Sequence, residues 1–429
     1  SGDIWRRDYR KPAPKPGDAP NIECYANQLA DIASAACGNI AHSADATIAM
    51  AETRIPMRYR VPDMQRLEWA QRIVAAMGDR LPKTQPEIYA PEPVMLHERQ
   101  STDVVVQALR IGDMVIATTP CETYALTGLK LKAGSPLPKA MVIELANGGD
   151  GYIPPPEQHV LGGYNTWNAR SAGLETNAEP RIVEAALGLM EKVSAKPRRE
   201  PAPPSTLLSE ATLRAKPAAY WSLDEMSGPR AVDRSGHGND GYFEPGVVFH
   251  LEGAPISEKR AGANRAAHFA GGRMESRVES LNGADYSVAM WIYNGMPAGS
   301  RPMAGWCLSR GHDRGARGDH LGLGGSTHPG RLVFQAGESE PVAGKSAIGR
   351  WEWHQVTLVR KGDEVRVYLD GNPEPEMVVN APPPPVGSST RLFVGGRTDN
   401  ASNWEGRLDE VAVFNRALSP EEAGKLARP

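Results

Sequence analysis

The sequence predicts a multi-domain chain of two fold classes: an α/β part, a mixed sheet with helices, followed by an all-β antiparallel sandwich. Three observations carry this reading. The stretch "SAKPRREPAPPSTLLS" (194–209) is rich in Pro, Ser and charge, has almost nothing to bury, and reads as a semi-rigid linker. Before it, helical periodicity alternates with β-type runs. After it, short β-type runs recur between Gly, Asn and Pro turns. At 429 residues the chain is long for one core, so division is expected. The boundaries read as 1–193, a linker at 194–212, and 213–429.

The elements of the first part follow in order. "NIECYANQLADIASAACGNI" (21–40) opens on an Asn start signal, keeps apolar residues at helical spacing and meets Gly38 near its end. "PDMQRLEWAQRIVAAMG" (62–78) repeats that pattern, with Asp63 as cap and Gly78 as stop. "DVVVQALRIGDMVIATTP" (103–120) reads as a β-hairpin about Gly-Asp. "KAMVIELANG" reads as a buried strand, and "PRIVEAALGLMEKV" (180–193) as a closing helix with Pro in its first turn. Helices and strands mixed in this way make a layered α/β or α+β structure.

In the second part, "RAAHFAG", "YSVAMWIYN", "RLVFQAG", "TRLFVGG" and "GRLDEVAVFNRAL" read as short strands. "VTLVRKGDEVRVYLDG" is a hairpin about Lys-Gly-Asp. Only "SPEEAGKLA" looks helical. Many short strands with turn signals predict two antiparallel sheets packed face to face.

Composition excludes several classes. The net charge of −3 and the lack of a long Lys/Arg run argue against a nucleic-acid binder. No apolar segment approaches a transmembrane span. The four cysteines fit neither a zinc knuckle nor a disulfide framework. Cys24 and Cys37 fall in one expected helix, about 20 Å apart along its axis, too far to bond.

The pair of motifs "AYWSLDEMSGPRAVDRSGHGNDGYF" (219–243) and "GRLDEVAVFNRALSPEEAGKL" (406–426) resembles the laminin-G-like, concanavalin A-like jelly roll. The resemblance covers nearly all of 213–429. It implies a glycan or other cell-surface ligand, a secreted, periplasmic or cell-surface location, and a structural Ca²⁺. Asp233, Asn239 and Asp409 supply the oxygens such an ion takes; the plainer reading makes them turn formers. Trp306, Trp351, Trp353 and Trp404 are either platforms for sugar rings or core.

The first part raises a chemical question at "NGGDGYIPPPEQHVLGGYN" (147–165), a Gly/Pro-rich loop that carries two tyrosines. Glu122 follows one expected strand and Tyr152 another. Two strand ends can deliver a carboxylate and a phenol to one sheet edge, where sites of α/β folds lie. Gly112-Asp113, Pro120-Cys121-Glu122, Asn147, Gly151-Tyr152-Ile153-Pro154 and Gly162-Gly163-Tyr164 together resemble the closing part of the neutral ceramidase-like family of zinc amidases. The resemblance covers roughly 1–193. It implies that Glu122 and Tyr152 ligate a catalytic Zn²⁺ and that Tyr164 lies beside the substrate carbonyl. Zinc can lower the pKa of water to about 7, and a Tyr hydroxyl can donate to the oxyanion of an amide as it turns tetrahedral.

The same resemblance places "SGDIWRR" along the site: Asp3 beside the chemistry, Gly2 and Trp5 at the substrate, with His159 lining the pocket. Trp5 stands where ceramidases carry their proposed nucleophilic Ser. The other two zinc ligands would be histidines of motifs preceding Ser1, since His42, His97 and His159 stand in no matching motif. The expected partner is therefore an upstream half of the gene product, a separate chain if cleavage precedes Ser1. The rival expectation is a non-catalytic surface or adhesion protein that keeps the ceramidase-like fold.

Overall fold

The structure is a computed structural model that describes residues 2–4, 12–13, 15, 21–42, 44, 47–201, 205–255, 264–311, 318–384 and 390–428. The chain divides into two compact units, 1–201 and 202–429. An α/β unit with a mixed sheet and a sandwich unit of two large antiparallel sheets are both present.

The elements of the first unit are α1 (Ile22–Gly38), β1 (Ile48–Arg58), α2 (Met64–Met77), α3 (Gln85–Tyr89), α4 (Pro91–Arg99), β2 (Ser101–Ile111), β3 (Met114–Thr118), β4 (Glu122–Thr123), α5 (Ala125–Gly134), β5 (Lys139–Ile143), β6 (Tyr152–Ile153), α6 (Pro156–Leu161) and α7 (Ala178–Ser194). The expected caps are in place: the Asn21 side chain accepts from the Cys24 N–H at 2.8 Å and Asp63 from Arg66 at 2.7 Å. Each satisfies a donor that a helix start otherwise leaves unpaired. Cys24 and Cys37 are free and exposed on α1.

The sheet runs β1-β2-β3-β5, antiparallel except for the parallel β3–β5 pair. One face carries the register row Ala51–Ala108–Ala117–Val142 and packs under α7. Small residues there let α7 bury Ile182, Ala186 and Met190 closely. The other face carries the row Met50–Leu109–Ile116–Met141. Thus β5 is only half covered, with Met141 48% exposed, and ends at Ile143 instead of reaching Asn147; the expectation of a buried strand is corrected.

The linker expectation meets a mixed outcome. Arg198 pairs with Glu184 at 2.7 Å and Glu191 at 2.8 Å, and Arg199 donates to Ser135 and Lys132 carbonyls, so the chain through 199 lies on the first unit. Beyond it a short helix, α8 (Leu207–Arg214), forms with a capping box at Thr206 and Ser209.

The sandwich strands are β7 (Ala219–Trp221), β8 (Arg230–Ala231), β9 (Gly241–Phe243), β10 (Val247–Glu252), β11 (Arg265–Ala270), β12 (Met274–Arg277), β13 (Tyr286–Asn294) and β14 (Met303–Gly311). They continue with β15 (Gly318–Gly324), β16 (Arg331–Ala336), β17 (Val342–Ala347), β18 (Trp353–Lys361), β19 (Glu364–Leu369), β20 (Met377–Asn380), β21 (Arg391–Val394) and β22 (Glu405–Phe414), before the closing helix α9 (Pro420–Ala427). One sheet runs β10-β11-β22-β13-β18-β19-β20 with β7 beside β22; the other runs β17-β16-β15-β14-β21-β12-β9-β8. Their inner faces bury Trp221, Phe269, Met290, Phe334 and Trp404 in a single core. The second tyrosine-rich layer, Tyr220, Tyr368 and Phe414, packs under α9.

Candidate functional site

The site of the first unit grows out of the parallel β3–β5 pair. Parallel neighbours end at the same edge, so the two chain exits leave side by side. Backbone bonds hold them together: Thr119 N–H donates to Ile143 O at 2.9 Å and Ala146 N–H to Thr119 O at 3.0 Å. The exits then form a second parallel pair, β4–β6, in which Glu122 is the register partner of Tyr152. Register partners project on one face, so the structure brings the expected carboxylate and phenol together across thirty residues of sequence.

The loop is locked from below. Glu122 N–H donates to Gly151 O at 2.9 Å and Tyr152 N–H to Ser171 O at 2.7 Å. Gly151 has φ +82°, and a Cβ there would lie 2.1 Å from Ser171 O, so no other residue fits. Cys121, beside Glu122, is buried with its thiol 3.9 Å from Asp150; burial first, then that carboxylate, pushes the thiol up to about 12, so it is inert.

Aromatic rings frame the pair. Tyr164 meets Tyr152 edge to face at 5.6 Å between centroids, Trp167 meets Tyr164 at 5.4 Å, and Tyr89 meets Trp167 at 5.3 Å. Tyr164 is 53% exposed, so its hydroxyl can reach a ligand. Desolvation, then the Glu122 carboxylate, then Tyr164 raise the Tyr152 pKa; it is a neutral phenol unless a cation offsets that repulsion.

Gly2 and Asp3 also reach this edge. Gly2 N–H donates to Thr123 O at 3.1 Å, and the Asn165 side chain donates to Gly2 O. A Cβ on Gly2 would stand 2.9 Å from both the Glu122 carbonyl and the Tyr152 ring. The Asp3 carboxylate accepts the Ala125 N–H at 2.8 Å, capping the first turn of α5 from a distant part of the chain. That geometry makes Asp3 a positioning group. Trp5 lies outside the described residues. His159 sits on α6 near Arg60; burial, then Arg60, lower its pKa to about 4, so it is neutral at ordinary pH. Arg60 in turn gathers the Thr166, Ala172 and Leu174 carbonyls behind the loop. Sequence reasoning missed Asn165, Tyr124 and Trp167; none carries a spacing signal, and only the fold shows that Asn165 ties Gly2 to the Tyr124 hydroxyl. Among the described residues no group of three or more His, Cys, Asp and Glu is placed to hold a metal.

In the sandwich, Asp233 and Asn239 meet in one turn. Asp233 accepts from Tyr220 N–H at 3.0 Å, Ser235 N–H and Oγ at 2.9 Å, and Asn239 N–H at 2.9 Å. Its oxygens are taken up as turn acceptors. Asp409 belongs to another network, accepting from Ala254 N–H at 2.8 Å and Asn264 at 2.6 Å. Its electrostatic neighbours are Glu410 and Asp224, not Asp233. The structure therefore does not gather the three oxygens expected to hold calcium. Trp306 and Trp404 are core, Trp353 is half-buried, and Trp351 is 50% exposed at φ +67° just ahead of β18.

Residues 270–424 match the family described as the Concanavalin A-like lectin/glucanases superfamily, Laminin_G_3. Over those residues the sandwich carries a laminin-G-like jelly roll. Strands β7 to β11, most of which precede the matched residues, complete the same two sheets. The chain is similar to domain 4 of AbnA, a GH43 extracellular arabinanase from Geobacillus stearothermophilus, in complex with arabinotriose: 19% identity over 50% of this chain and 98% of that one, TM-score 0.40. It is similar to Trypanosoma rangeli sialidase, at 15% identity over 50% of this chain and 32% of that one, TM-score 0.38. A third likeness is the binding domain of botulinum neurotoxin DC in complex with rat synaptotagmin II, at 12% identity over 50% and 52%, TM-score 0.35. No curated protein matches. Among the described residues no helix is long and apolar enough to cross a membrane.

Proposed function

We propose that this chain carries part of a zinc-dependent amide hydrolase of ceramidase-like type, joined to a laminin-G-like domain that binds a saccharide at a cell surface or outside the cell. The observation that carries the first half is the register pairing of Glu122 with Tyr152 at the common edge of β3 and β5, with the Tyr164 ring against Tyr152. The donor chemistry fits a cation. A carboxylate is a routine zinc ligand; desolvation first and then the Glu122 carboxylate raise the Tyr152 pKa, and a cation held by both would offset the Glu122 part. Two protein donors hold zinc poorly, so the reading requires further ligands, histidines from an upstream part of the same gene product.

Zinc, when bound, supplies Lewis acidity and a water acidified into the neutral range. The rest falls to the chain. Glu122 and Tyr152 hold the ion at the edge. The exposed Tyr164 hydroxyl donates to the carbonyl oxygen as charge develops on it. Gly2 keeps the floor low enough for a linear amide of a lipid-like or amino-sugar substrate to approach. The saccharide reading of the sandwich draws on the superfamily it matches.

The test is metal analysis of the natively purified protein with its associated polypeptides, beside hydrolysis of an N-acyl amide. One zinc per protein, lost in Glu122→Ala and Tyr152→Phe, is expected. Zinc-free native protein without hydrolysis overturns the proposal in favour of a non-catalytic surface component.

A further inference from the structure

At one end of the second sandwich sheet, the 238–240 turn and strands β9 and β12 line an open pocket of about 370 Å³, formed by Gly238, Asn239, Asp240, Tyr242, Glu275 and Arg277, with Ser276 in its floor. Its volume lies at the low end for pockets that take small ligands. Register puts the key side chains on one face: Arg230 is opposite Tyr242, and Tyr242 is opposite Glu275. Glu275 and Arg277 are two residues apart on one strand, so they share that face too.

Tyr242 is 58% exposed, an aromatic ring on the outer surface of a sheet whose neighbours on the strand, Gly241 and Phe243, are buried. Its ring therefore contributes nothing to the core. Around it the polar groups are held in fixed positions. Asp240 accepts from Arg230 Nε at 2.6 Å and from the Asp233 N–H at 2.9 Å. Glu275 accepts from Arg391 at 2.5 and 3.1 Å. Each carboxylate is thus neutralised and aimed by a guanidinium, yet keeps lone pairs for a further donor. Arg277 stands exposed at the rim, two residues from Glu275 on the same face, as a donor turned to the pocket. The floor is stiff: Ser276 Oγ donates to the Asn239 and Asp240 carbonyls, and Trp221 Nε1 donates to Asn239 O at 2.9 Å.

We propose that this pocket is the saccharide-binding site of the sandwich, with a neutral, hydroxyl-rich sugar ring stacked on Tyr242, its hydroxyls donating to Asp240 and Glu275 and accepting from Arg277. A sugar ring has an apolar face of C–H groups and a polar rim, which matches an exposed ring surrounded by pre-aimed acceptors and one donor. With Asp240 paired to Arg230 and Glu275 to Arg391, what the pocket offers a ligand is acceptor lone pairs, which suit hydroxyl donors. Pre-aimed acceptors cost little to order on binding, and the exposed phenol ring supplies contact area at low conformational cost. The assignment rests on the saccharide reading of the sandwich given above and adds to it the place and the ligand class.

The experiment is calorimetric titration of the full chain with methyl β-glucopyranoside, methyl β-galactopyranoside, methyl α-mannopyranoside and arabinotriose. The wild type is expected to bind at least one. Tyr242→Ala is expected to weaken that binding at least tenfold, Tyr242→Phe to keep most of it, and Arg277→Ala to weaken it several-fold. Circular dichroism melting shows that each variant folds. Binding that survives Tyr242→Ala but is lost in Trp351→Ala overturns the pocket and leaves the saccharide reading standing. A wild type that binds none of the four probes overturns both.

Discussion

Arg360 and Asp319 show what a single ion pair does inside the sandwich. Both side chains are essentially fully buried. Asp319 accepts from Arg360 Nε at 2.7 Å and from the Tyr286 hydroxyl at 2.8 Å, while Arg360 also donates to Ala381 O at 2.8 Å and Gly362 O at 3.1 Å. Every polar atom has a use, which is what allows charges to stay buried. Asp319→Ala would strand a guanidinium and a phenol in the core. We expect a loss of about 3–5 kcal/mol, read from urea unfolding, whereas substitution at the exposed Lys345–Glu374 pair should change stability by under about 1 kcal/mol. Neither partner of the buried pair was legible in the sequence. Asp319 lies in a Gly-rich stretch and Arg360 beside a turn, and each looks like a surface charge until the two sheets close. Trp306 and Trp404 are similar: a Cβ at Gly322 would stand 2.9 Å from the Trp306 ring, and one at Gly305 would stand 2.9 Å from the Trp404 backbone and 3.3 Å from its ring. By contrast, the strand ends before Glu122 and Tyr152 are legible in the sequence, while their expected roles and that of Tyr164 come from the family resemblance and not from spacing.

Elements whose signals are local were read correctly, and those whose signals are tertiary were not. Helices α1 and α2, the β2–β3 hairpin, α7 and the β18–β19 hairpin carry caps, turns or clean periodicity. Strand β1 does not: "IAMAETRIPMR" contains a Pro and three charged residues, and becomes a strand only because β2 offers eleven register partners. Helix α8 hid in a segment whose composition reads as linker. The uncovered face of the first sheet is the clearest consequence at this scale. Its rows place Ile48 opposite Ile111 and Met50 opposite Leu109, with Ile48 at 79%, Met50 at 53% and Met141 at 48% exposed. An apolar face of this kind marks an interaction surface or an aggregation liability. Met50→Thr/Met141→Thr is expected to lower binding of the dye ANS clearly. Because the substituted groups are exposed, the unfolding free energy should change by only about 0.5 kcal/mol per site. Unchanged dye binding would show that this face is not what the dye detects.

At the scale of the whole molecule, two units with separate cores should unfold as two transitions. Their pH responses distinguish them. The sandwich holds carboxyls in the wrong charge state for water: burial raises Asp224 to about 6 and Glu225 to about 7, against ordinary values of 3.8 and 4.5. For a raised carboxyl the folded state binds the proton more tightly than the unfolded state. Its contribution to stability is fully present below about pH 4 and is lost as pH rises through the folded pKa. His268, lowered to about 4 by burial and Arg407, works in the opposite sense over the same range, so the raw slope of the wild type mixes both. The comparison with Glu225→Gln isolates one of them. Gln keeps the shape and can still accept the Val232 N–H, which Glu225 holds at 2.9 Å, but it cannot ionise. The sandwich transition of Glu225→Gln is therefore expected to gain on the wild type steadily between about pH 4.5 and 7.5, reaching roughly 2 kcal/mol; part of Glu225 stays wet, which keeps the figure below what the full shift implies. The transition of the α/β unit should be the same in both proteins at every pH. Scanning calorimetry across that range decides it: a constant difference between the two proteins would mean that Glu225 ionises normally and that its carboxyl is not held in the protonated form by the fold.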